Sequence, residues 1–250
     1  MKLGQMKINN DIPFMVTKQV KEMAAACHAL IETREMGVVY GEPGVGKTIS
    51  AMHITAEWQK RGQPKALYTE VDVGASPVGI AINLLRMMAD IRPANASDAL
   101  RIIENLTMEQ ELVLIIMDEA DRLNARSLEM VRSIYDRTRI PIMLIGMYEI
   151  LRGLRSHKKF YSRVGISYQY EPLSYEQLAE MLGKLHPLLR DIDPVEENGF
   201  LEYIFKATRG EFRRINRLVK QAERIRKANN HPVLSLSVFE AASKLLLNVE

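Results

Sequence analysis

Short apolar runs alternate with amphipathic stretches along the first two thirds of the chain. Gly37-Val38-Val39-Tyr40, Lys65 to Asp72, Leu112 to Met117 and Pro141 to Gly146 read as strands, and Val164 to Tyr170 as a last one. The run Leu112-Val113-Leu114-Ile115-Ile116-Met117 holds six apolar residues without interruption, which fits only a strand buried on both faces. Helices fall between them. Val16, Val20, Met23, Ala24, Cys27, Leu30 and Ile31 recur at helical spacing and predict a helix over 17–34. Further helices are predicted over 48–58, stopped by Arg61-Gly62-Gln63-Pro64, over 74–90, from a Ser97 cap to about residue 105, over 127–137, and from 149 to 154. A β-α alternation repeated five times implies a mostly parallel sheet covered by helices on both sides.

The pattern changes after Pro172. Ser174-Tyr175-Glu176-Gln177 has the form of a capping box, and only helical periodicity follows, fitting helices at about 174–190, 194–208, 211–228 and 235–248. The expected organisation is an α/β core over 1–172, with 1–13 as a loose lead-in closed by Pro13, and a small all-α domain over 173–250.

Composition narrows this little. With 250 residues, 26% charged and 47% apolar, the chain is globular rather than disordered. A net charge of +3 permits nucleic-acid binding without demanding it. Cys27 is the sole cysteine, so no intrachain disulfide or cysteine metal site can form, and it falls on the apolar face of the first helix as a core residue. That usage fits a reducing cytoplasm. The polar stretch from Met1 to Asn10 does not read as a signal peptide, and no apolar run reaches the length of a membrane span.

The chemistry concentrates in Gly41-Glu42-Pro43-Gly44-Val45-Gly46-Lys47-Thr48, a G-x-x-x-x-G-K-T loop between a strand and a helix, the Walker A motif. Its glycines let backbone N–H groups wrap a polyphosphate at a helix N-terminus, with Ile49 next in line. Lys47 can reach the β- and γ-phosphates of a nucleotide, and the Thr48 hydroxyl can ligate Mg²⁺. Asp118 and Glu119 end the most apolar strand. The first carboxylate would stand beside Mg²⁺; the second can polarise a water for attack on the γ-phosphate, which favours ATP hydrolysis by an additional-strand ATPase. Asp118-Glu119-Ala120-Asp121 also spells the motif of a DEAD-box helicase, but such an enzyme needs two cores and this chain has room for one.

These residues, with Leu112 to Leu123, Ser133 to Gly146, Phe160-Tyr161-Ser162-Arg163 and Gly210-Glu211-Phe212-Arg213-Arg214, make the chain resemble an AAA+ ATPase. More narrowly it is similar to the transposition target-selection ATPases of the MuB, TniB and TnsC type, from about residue 14 to the end. The resemblance implies an arginine finger at Arg163, reaching the neighbouring subunit's nucleotide; a surface arginine among Arg152, Arg155, Lys158 and Lys159 is the alternative. It implies a sensor 2 arginine at Arg213, with Arg214 and Arg217 facing solvent or DNA. It implies ATP and Mg²⁺ as ligands, and a homo-oligomer, a helical filament or ring, on duplex DNA of little sequence preference. A transposase is the implied partner, and hydrolysis would disassemble the oligomer. DNA contacts in the group come from the segment after the second strand, where this chain offers Arg86, Arg92 and Arg101, with Asn95 and Ser97 as phosphate donors; the basic loop 152–159 is the other candidate, and a solvated surface the alternative for either.

Two departures stand out. Met147 follows the fourth strand where the family carries a polar sensor 1 residue, and a thioether donates no hydrogen bond, so slow hydrolysis is expected. The N-terminal helix-turn-helix domain of the phage Mu relative is expected to be missing, since this chain starts almost at the core. Two other readings remain open: a loader or remodeller acting on a protein partner, and a nucleotide switch that hardly hydrolyses.

Overall fold

The computed structural model describes residues 14–62, 64–185, 189 and 194–246. They form two compact units: residues 18–42 and 47–170, and residues 14–17, 43–46 and 171–246.

The first unit contains α1 (Lys18–Thr33), β1 (Met36–Tyr40), α2 (Lys47–Arg61), β2 (Ala66–Glu70), α3 (Pro77–Ala89), α4 (Ala96–Glu109), β3 (Leu114–Asp118), α5 (Ala125–Thr138), β4 (Ile142–Gly146), α6 (Glu149–Ser156), α7 (Lys158–Tyr161) and β5 (Val164–Gln169). The strands make one sheet in the order β2-β3-β4-β1-β5, and every pairing is parallel. This is the α/β fold with a five-stranded parallel sheet that the alternation implies. Parallel pairing puts all five C-terminal strand ends on one edge, where the loops that follow β1 and β3 carry the sequence motifs. Burial tracks sheet position. Central β3 and β4 are buried at every residue, whereas edge strand β5 alternates half-buried and exposed positions. Helices α3, α4 and α5 pack on one another and contribute Leu84, Leu85, Ile103, Val131 and Ile134 to the core of this unit.

Local chemistry sets the helix starts. Ser76 caps α3 by accepting from the Gly79 N–H at 3.1 Å, with Pro77 in the first helical position, so that helix begins three residues later than its periodicity suggests. The cap of α4 is Asn95 and not Ser97: Asn95 is extended (φ −158°, ψ 178°), and its Oδ1 accepts from the Asp98 N–H at 2.9 Å. Ser97 lies inside the first turn, and its hydroxyl makes no hydrogen bond among the described residues. The short helix α7 was not legible from periodicity; its four residues bury only Phe160.

The second unit holds α8 (Tyr175–Leu185), α9 (Pro194–Thr208), α10 (Phe212–Ala228) and α11 (Leu236–Lys244). The expected capping box is present: Ser174 Oγ accepts from the Gln177 N–H at 3.2 Å, and Gln177 Oε1 accepts from the Ser174 N–H at 2.8 Å. Phe200 and Phe239 meet edge to face, 4.6 Å between ring centroids, in a core that also buries Leu178, Ile204, Ile215 and Leu218. The predicted end of the first of these helices, over 186–190, falls largely outside the described residues, as do residues 247 and 248 of the last, whose helix ends at Lys244.

The two candidate caps of α4 are separable by denaturation. Asn95→Ala should lower unfolding free energy by about 1 kcal/mol, and Ser97→Ala by less than about 0.5 kcal/mol, read as midpoint shifts in urea. Equal losses would place the cap elsewhere.

Candidate functional site

The loop between β1 and α2 is shaped by close approach. A side chain on Gly41 would run into the Tyr170 carbonyl, and Gly44 and Gly46 sit at φ 84° and 116°, left-handed conformations that a Cβ penalises. Lys47 opens α2 and is only 9% exposed. Its Nζ donates to the carbonyls of Gly41 at 2.7 Å and Glu42 at 2.8 Å, so the ammonium lies inside the curve of the loop. Burial pushes its pKa down, opposed by the carboxylates of Asp118, Asp121, Glu119 and Glu42. The two motifs, 70 residues apart in sequence, therefore converge around one buried cation.

Asp118 is 3% exposed at the end of β3, with each carboxylate oxygen engaged. Oδ1 accepts from the Glu119 N–H at 2.8 Å, and Oδ2 accepts from the Tyr68 hydroxyl at 2.9 Å. Tyr68 comes from β2, the neighbouring strand, and its phenol is held protonated by burial first and by the Asp118 charge second. It is thus a permanent donor. Glu119 follows with φ 55°, a strained conformation for a residue with a Cβ. Its carboxyl pKa is raised, chiefly by burial, while Arg122 works against that shift. Arg122 spans the corner, donating to Glu70 Oε1 at 3.0 Å and the Val71 carbonyl at 2.8 Å, with Glu119 Oε2 at 3.4 Å. Tyr68 and Arg122 are the site residues that sequence reasoning missed. Arg122 was within reach, three positions after Glu119; Tyr68 carried no local signal.

The donors present fit a small hard cation. Asp118 offers a fixed carboxylate, and the Thr48 hydroxyl, in the first turn of α2, forms no hydrogen bond among the described residues. Oxygen ligands of this kind, completed by phosphates and water, suit Mg²⁺.

At the end of β4, a Cβ on Gly146 would press on Asp121, whose Oδ1 accepts from the Met147 N–H at 3.2 Å. The Met147 side chain is 38% exposed and brings no hydrogen-bond donor. Arg163, just before β5, is engaged within its own chain. Its Nε and Nη2 grip Asp136 on α5 at 2.6 and 2.8 Å, and its Nη1 donates to the Lys159 carbonyl. Burial alone would raise the Asp136 pKa; the Arg163 hydrogen bonds and charge outweigh it and hold the carboxyl low. Arg132 adds a second cation at 2.6 Å.

In the second unit, the loop tip at residues 43–46 packs with the start of α10: the Gly44 carbonyl accepts from the Arg213 N–H at 3.0 Å. The Arg213 side chain is exposed, while Arg214 pairs with Glu211. Arg86, Arg92 and Arg101 are exposed on α3, the following loop and α4, and Arg101 is tied to Asp98 at 2.8 Å. Nothing draws these three together into one site.

Comparison with known proteins agrees with this geometry. The AAA domain family matches residues 30–154. A "Potential ATP-binding protein" of Staphylococcus aureus is 30% identical over 94% of this chain and 96% of its own length. The "ATP-dependent target DNA activator B" of Escherichia phage Mu is 31% identical over 56% of this chain, a match that spans 44% of that protein. Among solved structures, the Aeropyrum pernix ORC2 protein in its ADPNP–ADP complexes superposes with a TM-score of 0.72 at 20% identity, covering 95% of this chain and 70% of that one, a likeness of fold.

The Tyr68 contact makes a specific prediction. Tyr68→Phe removes one donor from a buried carboxylate, a bond to a charged group worth about 1.5–3 kcal/mol. Titrating Mg²⁺ against a fluorescent ATP analogue should show a roughly tenfold higher metal requirement, with metal-free nucleotide affinity unchanged. An unaltered Mg²⁺ midpoint would mean that Tyr68 does not position Asp118.

Proposed function

We propose that this chain, which belongs to the AAA domain family, is an ATP-dependent DNA-binding regulator of transposition. It assembles as an oligomer on target duplex DNA with little sequence preference, recruits or activates a transposase, and comes apart when ATP is hydrolysed. We assign the nucleotide-binding core to residues 1–172, the helical lid to 173–250, and the protein to the cytoplasm. The observation that carries the reading is a complete phosphate-binding loop with Asp118 and Glu119 beside Lys47, in a chain 31% identical over 145 residues to the phage Mu target DNA activator.

The chain's own groups divide the work. Backbone N–H groups of residues 41–48 would hold the β- and γ-phosphates, with Lys47 exchanging its two carbonyl acceptors for phosphate oxygens. The Thr48 hydroxyl and the Asp118 carboxylate would hold Mg²⁺, which when bound neutralises phosphate charge. Glu119 would orient the attacking water and take its proton, and the raised pKa of its carboxyl brings it nearer to that task. Arg163 would stabilise γ-phosphate charge in a neighbouring subunit, and Arg213 would do so from the lid. Met147 favours slow hydrolysis, because the position after β4 contributes only a thioether; a nucleotide switch with little turnover is the second reading that this residue supports.

The experiment is ATP-dependent assembly on DNA, seen by negative-stain microscopy. Lys47→Ala should lose most ATP affinity and with it DNA coating; a mutant that coats DNA like wild type would end nucleotide-gated assembly. Glu119→Gln should bind ATP, hydrolyse it at least ~100-fold more slowly, and hold DNA longer. Rapid turnover by that variant would move the base to another group. Mixing Arg163→Ala with Lys47→Ala protein should restore part of the ATPase activity, each supplying what the other lacks at mixed interfaces. No recovery at any ratio of folded, co-assembled protein would remove Arg163 from action in trans.

A further inference from the structure

The second unit is electrically neutral as a whole and sharply polarised along its sequence. Residues 206–227 carry nine Lys and Arg against two acids, while the rest of 171–250 carries three against ten. The basic block is α10, the turn before it and the end of α9. Ile215, Leu218, Val219 and Ala222 are the buried face of that helix. At 100° per residue, Arg213, Arg217, Lys220 and Arg224 lie within about 30° of the opposite, outward pole, and Lys227 about 50° from it. Arg213, Arg217, Arg224 and Lys227 are exposed. Among the described residues Arg217 and Arg224 form no hydrogen bond or ion pair, and the acids of the helix lie off the stripe: Glu223 is turned toward Arg226 and Lys227, and Glu211 toward Arg214.

This is not the composition of a face kept merely soluble. A solvated helix face mixes both signs at i,i+3 and i,i+4, and here every neighbouring pair along the stripe, 213–217, 217–220, 220–224 and 224–227, is cationic and repulsive. The stripe has no apolar residue in it, and the apolar side of α10 is already buried in its own unit, which removes the wedge a membrane-surface helix requires. What remains is a straight row of four cations from Arg217 to Lys227, about 15 Å long, suited to a linear, regularly spaced anion.

We propose that the outward face of α10, through Arg217, Lys220, Arg224 and Lys227, binds the phosphate backbone of duplex DNA. The proposal rests on the DNA-binding reading above and moves the main contact from Arg86, Arg92 and Arg101 to the helical lid, where Arg217 and Arg224 lead the contact and Lys227 would exchange its pairing with Glu223 at 3.2 Å for a phosphate. Side chains of this kind position a protein on phosphates without reading bases, which suits a protein with little sequence preference.

Binding of a fluorescein-labelled 30-base-pair duplex to the full chain, with a non-hydrolysable ATP analogue present, tests it across a salt series. Arg217→Ala and Arg224→Ala should each flatten the log–log salt slope by about one, on duplexes of unrelated sequence alike. The double variant Arg217→Glu/Arg224→Glu should lose at least ~10-fold in affinity while keeping basal ATPase activity without DNA. Should that reversal fail to fold, Arg217→Gln/Arg224→Gln takes its place; it relieves repulsion within the helix and should lose affinity in the same direction. Wild-type protein that binds no duplex ends both the DNA reading and the stripe. Wild type that binds, with a double variant equal to it in affinity and slope, overturns the stripe alone. A double variant that loses binding to phosphatidylserine vesicles but not to DNA also overturns it.

Discussion

A buried ammonium holds the first unit's chemistry in place. Lys47 is almost fully removed from water, and a charge so placed persists only if the protein surrounds it with acceptors. Gly41 and Glu42 supply two carbonyls, and Asp118, Asp121 and Glu119 supply the opposing charge. Much of the fold follows from that requirement. Parallel pairing brings the ends of β1 and β3 to the same edge, the glycines let the loop close over the lysine, and Tyr68 and Arg122 fix the carboxylates that face it. The carbonyls are weaker acceptors than phosphate oxygens, so a polyphosphate entering the loop would find a cation already desolvated and held at low cost.

The sequence displays some of this plainly and conceals the rest for physical reasons. Helices and strands of the first unit are legible because burial imposes a period, and the six-residue run before Asp118 admits only a central strand. The phosphate loop is legible because glycine, lysine and threonine act within eight consecutive positions. The capping box at Ser174 and Gln177 is likewise local. Asn95 and Ser97 are both good caps by residue type, and only the extended backbone at Asn95 decides between them. The pairings Tyr68–Asp118 and Arg163–Asp136 join residues 50 and 27 positions apart, and nothing in either neighbourhood announces the partner. Strand order is hidden for a similar reason. β1 and β4 are equally apolar, so pattern alone does not place β1 between β4 and β5.

The polarised second unit shows a different kind of legibility. Its charge block is visible in composition, but charge along a sequence does not say which side chains share a face. Only the buried row on α10 fixes the outward pole and shows Glu223 on the flank of the stripe, reaching Arg226 and, at the stripe's end, Lys227. The same helix rotated by one position, so that 214, 217, 218 and 221 faced inward, would turn Arg214 and Arg217 toward the core.

Arg163 has a consequence of its own. Its guanidinium is satisfied by Asp136 and Lys159 before any neighbour arrives, so contact with another subunit would be an exchange of partners and not a gain from solvent. In an exchange, only the difference between the two bound states drives the reaction. An isolated subunit would keep its arginine latched, and a neighbour with an empty loop would offer too little to release it. Were Arg163 to act across such an interface, the ion pair would set a threshold: the interface would have to present enough concentrated negative charge to outbid a nearby carboxylate, and the pair would then report the neighbour's cargo.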